Sequence, residues 1–270
     1  LCQSGECSTF GTHFEDLYKN NQGTMMNNLP VATRNLLLAN IIVWLLDTLL
    51  QRYGVQLTAL LGLHYWTADS FRLWQPVTYM FMHSGFRHLF FNMFALLMFG
   101  PVLEREWGVR KFLIYYAVCG LGAALVQECV WAIQLQSMLQ TYVEVQVWHY
   151  AGQMVTIGAS GAVFGILFAF GWLFPDVPMF IMFIPIPIKA RTMVIGYAVI
   201  ELLEGFSHIA GDNVAHFAHL GGMLFGWLLL LYWRKGKDMF RISLRRKKKN
   251  RSGDDNDSKF SDYHYQPRVD

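Results

Sequence analysis

Four polar side chains in a largely apolar chain stand at spacings that could carry acyl-transfer chemistry: Ser160, His219, His88 and Asn92. Ser160 lies in Gly158-Ala159-Ser160-Gly161, with Gly165 four residues after Gly161, and heads an uncharged run through Phe174 that Pro175 and Asp176 end. At a helix N-terminus the first backbone N–H groups lack intrahelical partners and the helix dipole favours negative charge, which suits an attacking alkoxide or a tetrahedral oxyanion. The pattern is not a Gly-x-Ser-x-Gly elbow, because Ala162 holds the last glycine's place. His219 opens a second glycine pattern, in which His219, Gly222 and Gly226 at i, i+3 and i+7 share one helix face. Glycine faces let backbones approach closely, so apposing the two patterns sets His219 beside Ser160 as base beside nucleophile. His88 and Asn92, at i and i+4, point the same way and could donate to an oxyanion. Each motif alone also reads as ordinary packing or interhelical hydrogen bonding. All of them meeting at one depth is harder to assign to packing.

The elements that must hold these residues are membrane helices. The chain of 270 residues is 54% hydrophobic and 15% charged, whereas about 25% charge is usual in a soluble domain. Spans are expected at about 35–50, 86–103, 112–133, 157–174, 192–206 and 214–233. The serine span, 18 residues from Ile157 to Phe174, would rise about 27 Å, close to the hydrocarbon thickness of a bilayer. Between the first two spans, the interrupted and aromatic-rich 51–85 reads as a partly embedded loop, and 134–156 reads as a polar loop. Pro178, Pro185 and Pro187 make 177–188 a re-entrant or surface segment. Three regions follow: a polar tail over 1–28, a membrane domain over 29–234, and a basic tail over 235–270 expected to be disordered. The tail over 1–28 has no signal-peptide pattern, and Met25-Met26 stands just before the apolar pattern as a possible start.

Charge sets the orientation. Ten of the 22 Lys and Arg lie between Arg234 and Arg251, directly after a hydrophobic span. That reads as a positive-inside anchor rather than a nucleic-acid footprint. With the C-terminal tail cytoplasmic, six spans put the N-terminus inside as well. Only Arg52, Arg72 and Arg87 then face outward, three against nineteen, and Ser160 sits near the outer face. Cys2, Cys7, Cys119 and Cys129 give no disulfide or metal spacing.

From Asn35 to Trp233 the chain resembles a rhomboid intramembrane serine protease of the six-span bacterial kind. The motifs that carry the likeness are His88-x-x-x-Asn92, Gly158-x-Ser160-Gly161-x-x-x-Gly165 and His219-x-x-Gly222-x-x-x-Gly226. The resemblance implies an all-α, six-helix membrane bundle in a bacterial inner membrane, with a water-filled cavity open to the outside. It implies Ser160 as nucleophile and His219 as general base, a dyad without a third acid. His88, Asn92 and the Ser160 N–H would line the oxyanion hole, and a gate is expected at the fifth span and the Gly205 to Val214 cap. The partners implied are transmembrane protein substrates and membrane lipids, with no nucleic acid, no cofactor and no metal. Two departures stand out. Trp74-Gln75 replaces the Trp-Arg of many relatives, which leaves the anchoring of the first outer loop open. Phe164 replaces a tyrosine that many relatives place four residues after the serine.

Other classes fit less well. His208, His216 and His219 could be imagined as metal ligands, but no acid or cysteine beside them completes a set. A His-Glu-x-x-His motif and paired transmembrane aspartates are both missing. A catalytically silent rhomboid-like protein that binds transmembrane helices is the alternative from another class, and a transporter is disfavoured because no inverted repeat is visible.

Overall fold

The computed structural model describes residues 29–180, 187–207 and 215–251. The N-terminal tail, residues 208–214 of the expected cap with His208, and the end of the basic tail lie outside the described residues.

Helix α1 is Val31–Gln51. It starts four residues before the expected Asn35 because its orphan N–H groups find a distant cap. The carboxylate of Glu104 accepts from Ala32 N (2.8 Å), Thr33 N (2.7 Å) and Thr33 Oγ1 (2.7 Å). Glu104 closes α4, Phe86–Trp107, so one acid ties the end of α4 to the start of α1. Gly108 then turns the chain at φ 79°, backbone that favours glycine, into α5, Val109–Met138.

The connection between α1 and α4 is built rather than loose. It holds α2 (Leu57–Leu61), β1 (Leu63–His64), α3 (Gln75–Thr78) and a 3₁₀ turn at Tyr79–Phe81. Gln75 supplies the anchor that the Trp-Gln pair left open. Its fully buried amide accepts from His64 N (3.3 Å) and Arg72 N (3.1 Å) and donates to the Ser70 carbonyl (3.0 Å). The polar stretch 134–156 also differs from expectation, because it contains α6, Glu144–Gln153, and β2, Val155–Thr156. β2 pairs antiparallel with β1, Leu63 opposite Thr156.

Helix α7 is Ser160–Leu173. It begins three residues later than the expected Ile157, because Gly158 at φ 133° is not helical. The Gly158 N–H instead donates to the Tyr79 carbonyl (2.9 Å). The result is a helix of 14 residues whose buried positions lie on every side: Gly161, Ala162, Val163, Gly165, Ile166, Leu167 and others. By contrast α1, α4 and α5 are the described helices long and apolar enough to cross a membrane by themselves.

The proline segment holds an antiparallel pair, β3 (Pro178–Phe180) and β4 (Pro187–Lys189). Lys189 (3.0 Å) and Arg191 (3.3 Å) meet Asp176 across it, and the Lys189 hydrogen bond holds the Asp176 carboxyl below its ordinary range. Helix α8, Ala190–Ser207, follows at once. Helix α9 is His216–Arg251. Residues 235–251, expected to be disordered, are therefore helical. The chain divides into two compact units, Leu1–Leu229 and Leu230–Asp270; the second is helical as far as Arg251.

Candidate active site

Helices α4, α7 and α9 bring their N-terminal ends together, and α8, running the other way, brings its C-terminal part to the same place. The fit of α7 to α9 decides the geometry. A Cβ on Gly222 would land on the Gly161 carbonyl, and one on Gly161 would meet the Ala123 side chain of α5. Gly165 lies as tightly against Cys119, and Gly226 against the Tyr115 hydroxyl. No other residue fits where two helix backbones touch. Of the five glycines expected to pack helices, Gly158, Gly161, Gly165, Gly222 and Gly226, the last four lie at these contacts with α5 completing the seam, whereas Gly158 precedes α7 and faces the His88 ring.

That contact sets His219 Nε2 2.8 Å from Ser160 Oγ. Phe164, one turn along α7, stacks on the imidazole with ring centroids 4.3 Å apart and planes 6° from parallel. The ring expected at this position is kept, and it holds the plane of the histidine without a hydroxyl. Phe164 also meets Tyr197 of α8 edge-on (6.3 Å).

His88 and Asn92 stand on α4 with different freedom. The Ser84 N–H, which can only donate, points at His88 Nδ1 (3.4 Å), so Nδ1 accepts and Nε2 carries the proton. A side chain at Gly158 would lie 2.8 Å from His88 Nε2 and 3.4 Å from Ser160 Oγ, filling the gap between them. Glycine at φ 133° keeps that gap open, with His88 Nε2 at its edge. Asn92 is buried and spends one amide hydrogen on the His88 carbonyl (2.9 Å), leaving the other. His83, edge-on to His88 at 4.9 Å, is almost fully buried, and that burial pushes its imidazole down to about 3.

Beside the expected pair the structure places an acid. Glu201 of α8 sets Oε2 2.8 Å from His219 Nδ1 and 2.8 Å from His216 Nδ1. All three residues are buried. Contrary to the expectation that no acid stands beside His216 and His219, one ligand atom from each of Glu201, His216 and His219 lies within 4.8 Å of the others. The sequence carried the signal: Glu201 is a carboxylate inside an apolar helix, a functional candidate by that fact alone. It lies 18 residues from His219 on another helix, beyond the reach of any local spacing.

With this geometry in view, comparison with known proteins adds the following. A sequence model described as the rhomboid domain matches residues 70–236. RHOMBOID-like protein 5 of Arabidopsis thaliana is 31% identical over 159 residues, 58% of this chain and 44% of its own length. Rhomboid-like protease 3 of Toxoplasma gondii is 30% identical over 201 residues, covering 73% of this chain and 67% of its own. Rhomboid-like protein 11, chloroplastic, of Arabidopsis thaliana is 31% identical over 216 residues, 72% of this chain and 64% of its own. Against several of the Arabidopsis relatives the chain spans less than half of their length.

Proposed function

The chain belongs to the rhomboid family of integral membrane proteins, and from that premise we propose that it is an intramembrane serine protease. The observation that carries the reading is the 2.8 Å contact between Ser160 Oγ and His219 Nε2. In the proposed reaction Ser160 Oγ attacks the scissile carbonyl carbon while its proton passes to His219 Nε2. The oxyanion so formed accepts from His88 Nε2–H, from the free Asn92 amide hydrogen and from the Ser160 N–H. Collapse breaks the C–N bond, and His219 gives the proton to the leaving amine. Water, deprotonated by His219, then hydrolyses the acyl-enzyme.

The substrate class proposed is a transmembrane helix. Helix α7, at 14 residues, rises about 21 Å, less than the ~30 Å of a hydrocarbon core. A serine at its head lies below the membrane surface. A peptide bond within a helix is shielded, so the substrate must unwind locally, and Gly or Pro near the cut helps it do so. Small residues before the cut suit a gap that Gly158 keeps open between His88 and Ser160. We also propose six spans with both termini cytoplasmic, on the strength of the Lys and Arg distribution, which puts the cut near the outer face.

The test is turnover of a model transmembrane substrate in proteoliposomes by the wild-type protein and by Ser160→Ala, with the cut mapped by mass spectrometry. Wild-type cleavage near the outer face and none by Ser160→Ala are expected. A cut at the cytoplasmic end would overturn the topology. Binding of the substrate helix without any cleavage would favour the catalytically silent alternative.

A further inference from the structure

We propose that Glu201, held by His216, is a positioning residue for His219, so that the reacting unit of this chain is Ser160–His219–Glu201 rather than a pair. The inference rests on the serine-protease reading given above. It starts from where protons must lie. For His219 to take the Ser160 proton, Nε2 must present a lone pair, so the single hydrogen of the neutral ring sits on Nδ1. That hydrogen faces Glu201 Oε2 at 2.8 Å, and an ionised carboxylate can only accept. The arrangement therefore selects the tautomer that the reaction needs and stabilises the imidazolium that forms when the proton arrives.

His216 fixes the acid in turn. Its Nδ1 lies 2.8 Å from the same oxygen, and the second acid of α8, Glu204, lies 3.5 Å from that nitrogen. His216 and His219 are one turn apart on α9, and both reach across to α8. One carboxylate oxygen taking two N–H donors is held from two directions, which fixes its rotamer against the motion of its own helix. The same three side chains could hold a metal ion, but a metal would need the Nδ1 lone pair of His219. That would leave the hydrogen on Nε2, which would donate to Ser160 Oγ and could not take the serine proton.

The test separates position from fold by reading rate, KM and unfolding temperature together in an apolar and a conservative variant. Removing one partner of a buried pair leaves the other unpaired and is destabilising, so Glu201→Leu, which strips the acceptor from His216 and His219, should lower the thermal unfolding temperature in detergent, while Glu201→Gln, which keeps an acceptor oxygen, should hold it near wild type. The kcat of Glu201→Leu and its rate of labelling by a fluorophosphonate should fall by about 10²- to 10⁴-fold, with KM unchanged, because Glu201 does not touch the substrate. Glu201→Gln loses the charge, so its rate should fall between Leu and wild type. His216→Leu should cost about 10-fold. Wild-type kcat and labelling in Glu201→Leu would overturn the proposal, as would activity lost to a chelator and restored by Zn²⁺. A wild-type protein that neither cleaves nor labels would instead remove the protease reading beneath it.

Discussion

The seam between α7 and α9 and the helix α8 hold the same site by opposite means. Along the seam, Gly161 and Gly222 meet backbone to backbone, and the buried residues of α7 leave it almost no outward face. Helix α8 turns Ile195, Val199, Ile200, Leu203 and Phe206 outward, with Ile195 62% and Phe206 67% exposed. Its buried residues include Ala190, Met193 and Val194 near its start and Glu201 near its far end. Ser160 and His219 therefore sit on a contact with no slack, while Glu201 arrives on a helix with one free side. A reacting pair needs fixed geometry within fractions of an ångström, and close-packed glycine backbones supply it. A carboxylate that acts through a hydrogen bond tolerates a softer mount.

The largest expected effect lies on the seam. Ser160→Ala removes the proposed nucleophile, and His219→Ala should nearly match it, each costing on the order of 10⁶-fold in kcat because members of one reacting unit do not add. Single and double variants assayed on the same substrate check this, and a double variant far slower than either single would break the unit. Next comes Gly222→Ala. Its methyl would collide with the Gly161 carbonyl, which is backbone and cannot yield, so stability should fall by about 1–3 kcal/mol or more and activity with it. Thermal unfolding measures the first and cleavage the second.

His88→Ala and Asn92→Ala each remove one donor and should cost about 2.7–4 kcal/mol, or 10²- to 10³-fold, in kcat. On the outward face of α8, Ile195→Ala and Leu203→Ala should stay within about 0.5 kcal/mol of wild type in stability. A collapse there as large as that of Gly222→Ala would erase the contrast between the two regions.

The smallest effect on rate is expected at His83, whose burial has a pH signature. Its imidazole, pushed down to about 3 from the ordinary 6.5, stays neutral in the folded protein where the unfolded chain takes up a proton. Stability is therefore lost as pH falls from about 6.5 towards 3, where the unfolded state binds more protons. His83→Phe, which keeps a ring against His88, should flatten the fall in unfolding temperature over that window and leave the rate at neutral pH alone. An unchanged slope would count against the buried neutral histidine.

What the sequence made legible follows from distance along the chain. Ser160 with its glycines and His219 with its glycines are local patterns, each readable on one helix, and their meeting needs only that glycine faces pack. Glu104 capping α1, the pairing of two-residue strands β1 and β2, and Glu201 beneath His219 join residues far apart, and no local period announces them. The boundaries erred for the same reason. Helix α7 was expected from Ile157 because hydropathy runs unbroken through that point, whereas its start is set by the Gly158 bond to Tyr79. Gln75 shows the converse. A missing charge suggested a weaker anchor, but an amide that accepts and donates can tie the same loop with neutral groups.

The central claim is that Ser160 is activated by His219. It is tested most directly by treating the purified protein with a fluorophosphonate and locating the adduct by peptide mass spectrometry. The account predicts a single adduct, on Ser160, that His219→Ala and Ser160→Ala both abolish while their unfolding temperatures match wild type. An adduct on another serine, or labelling of Ser160 at the wild-type rate in His219→Ala, would contradict it.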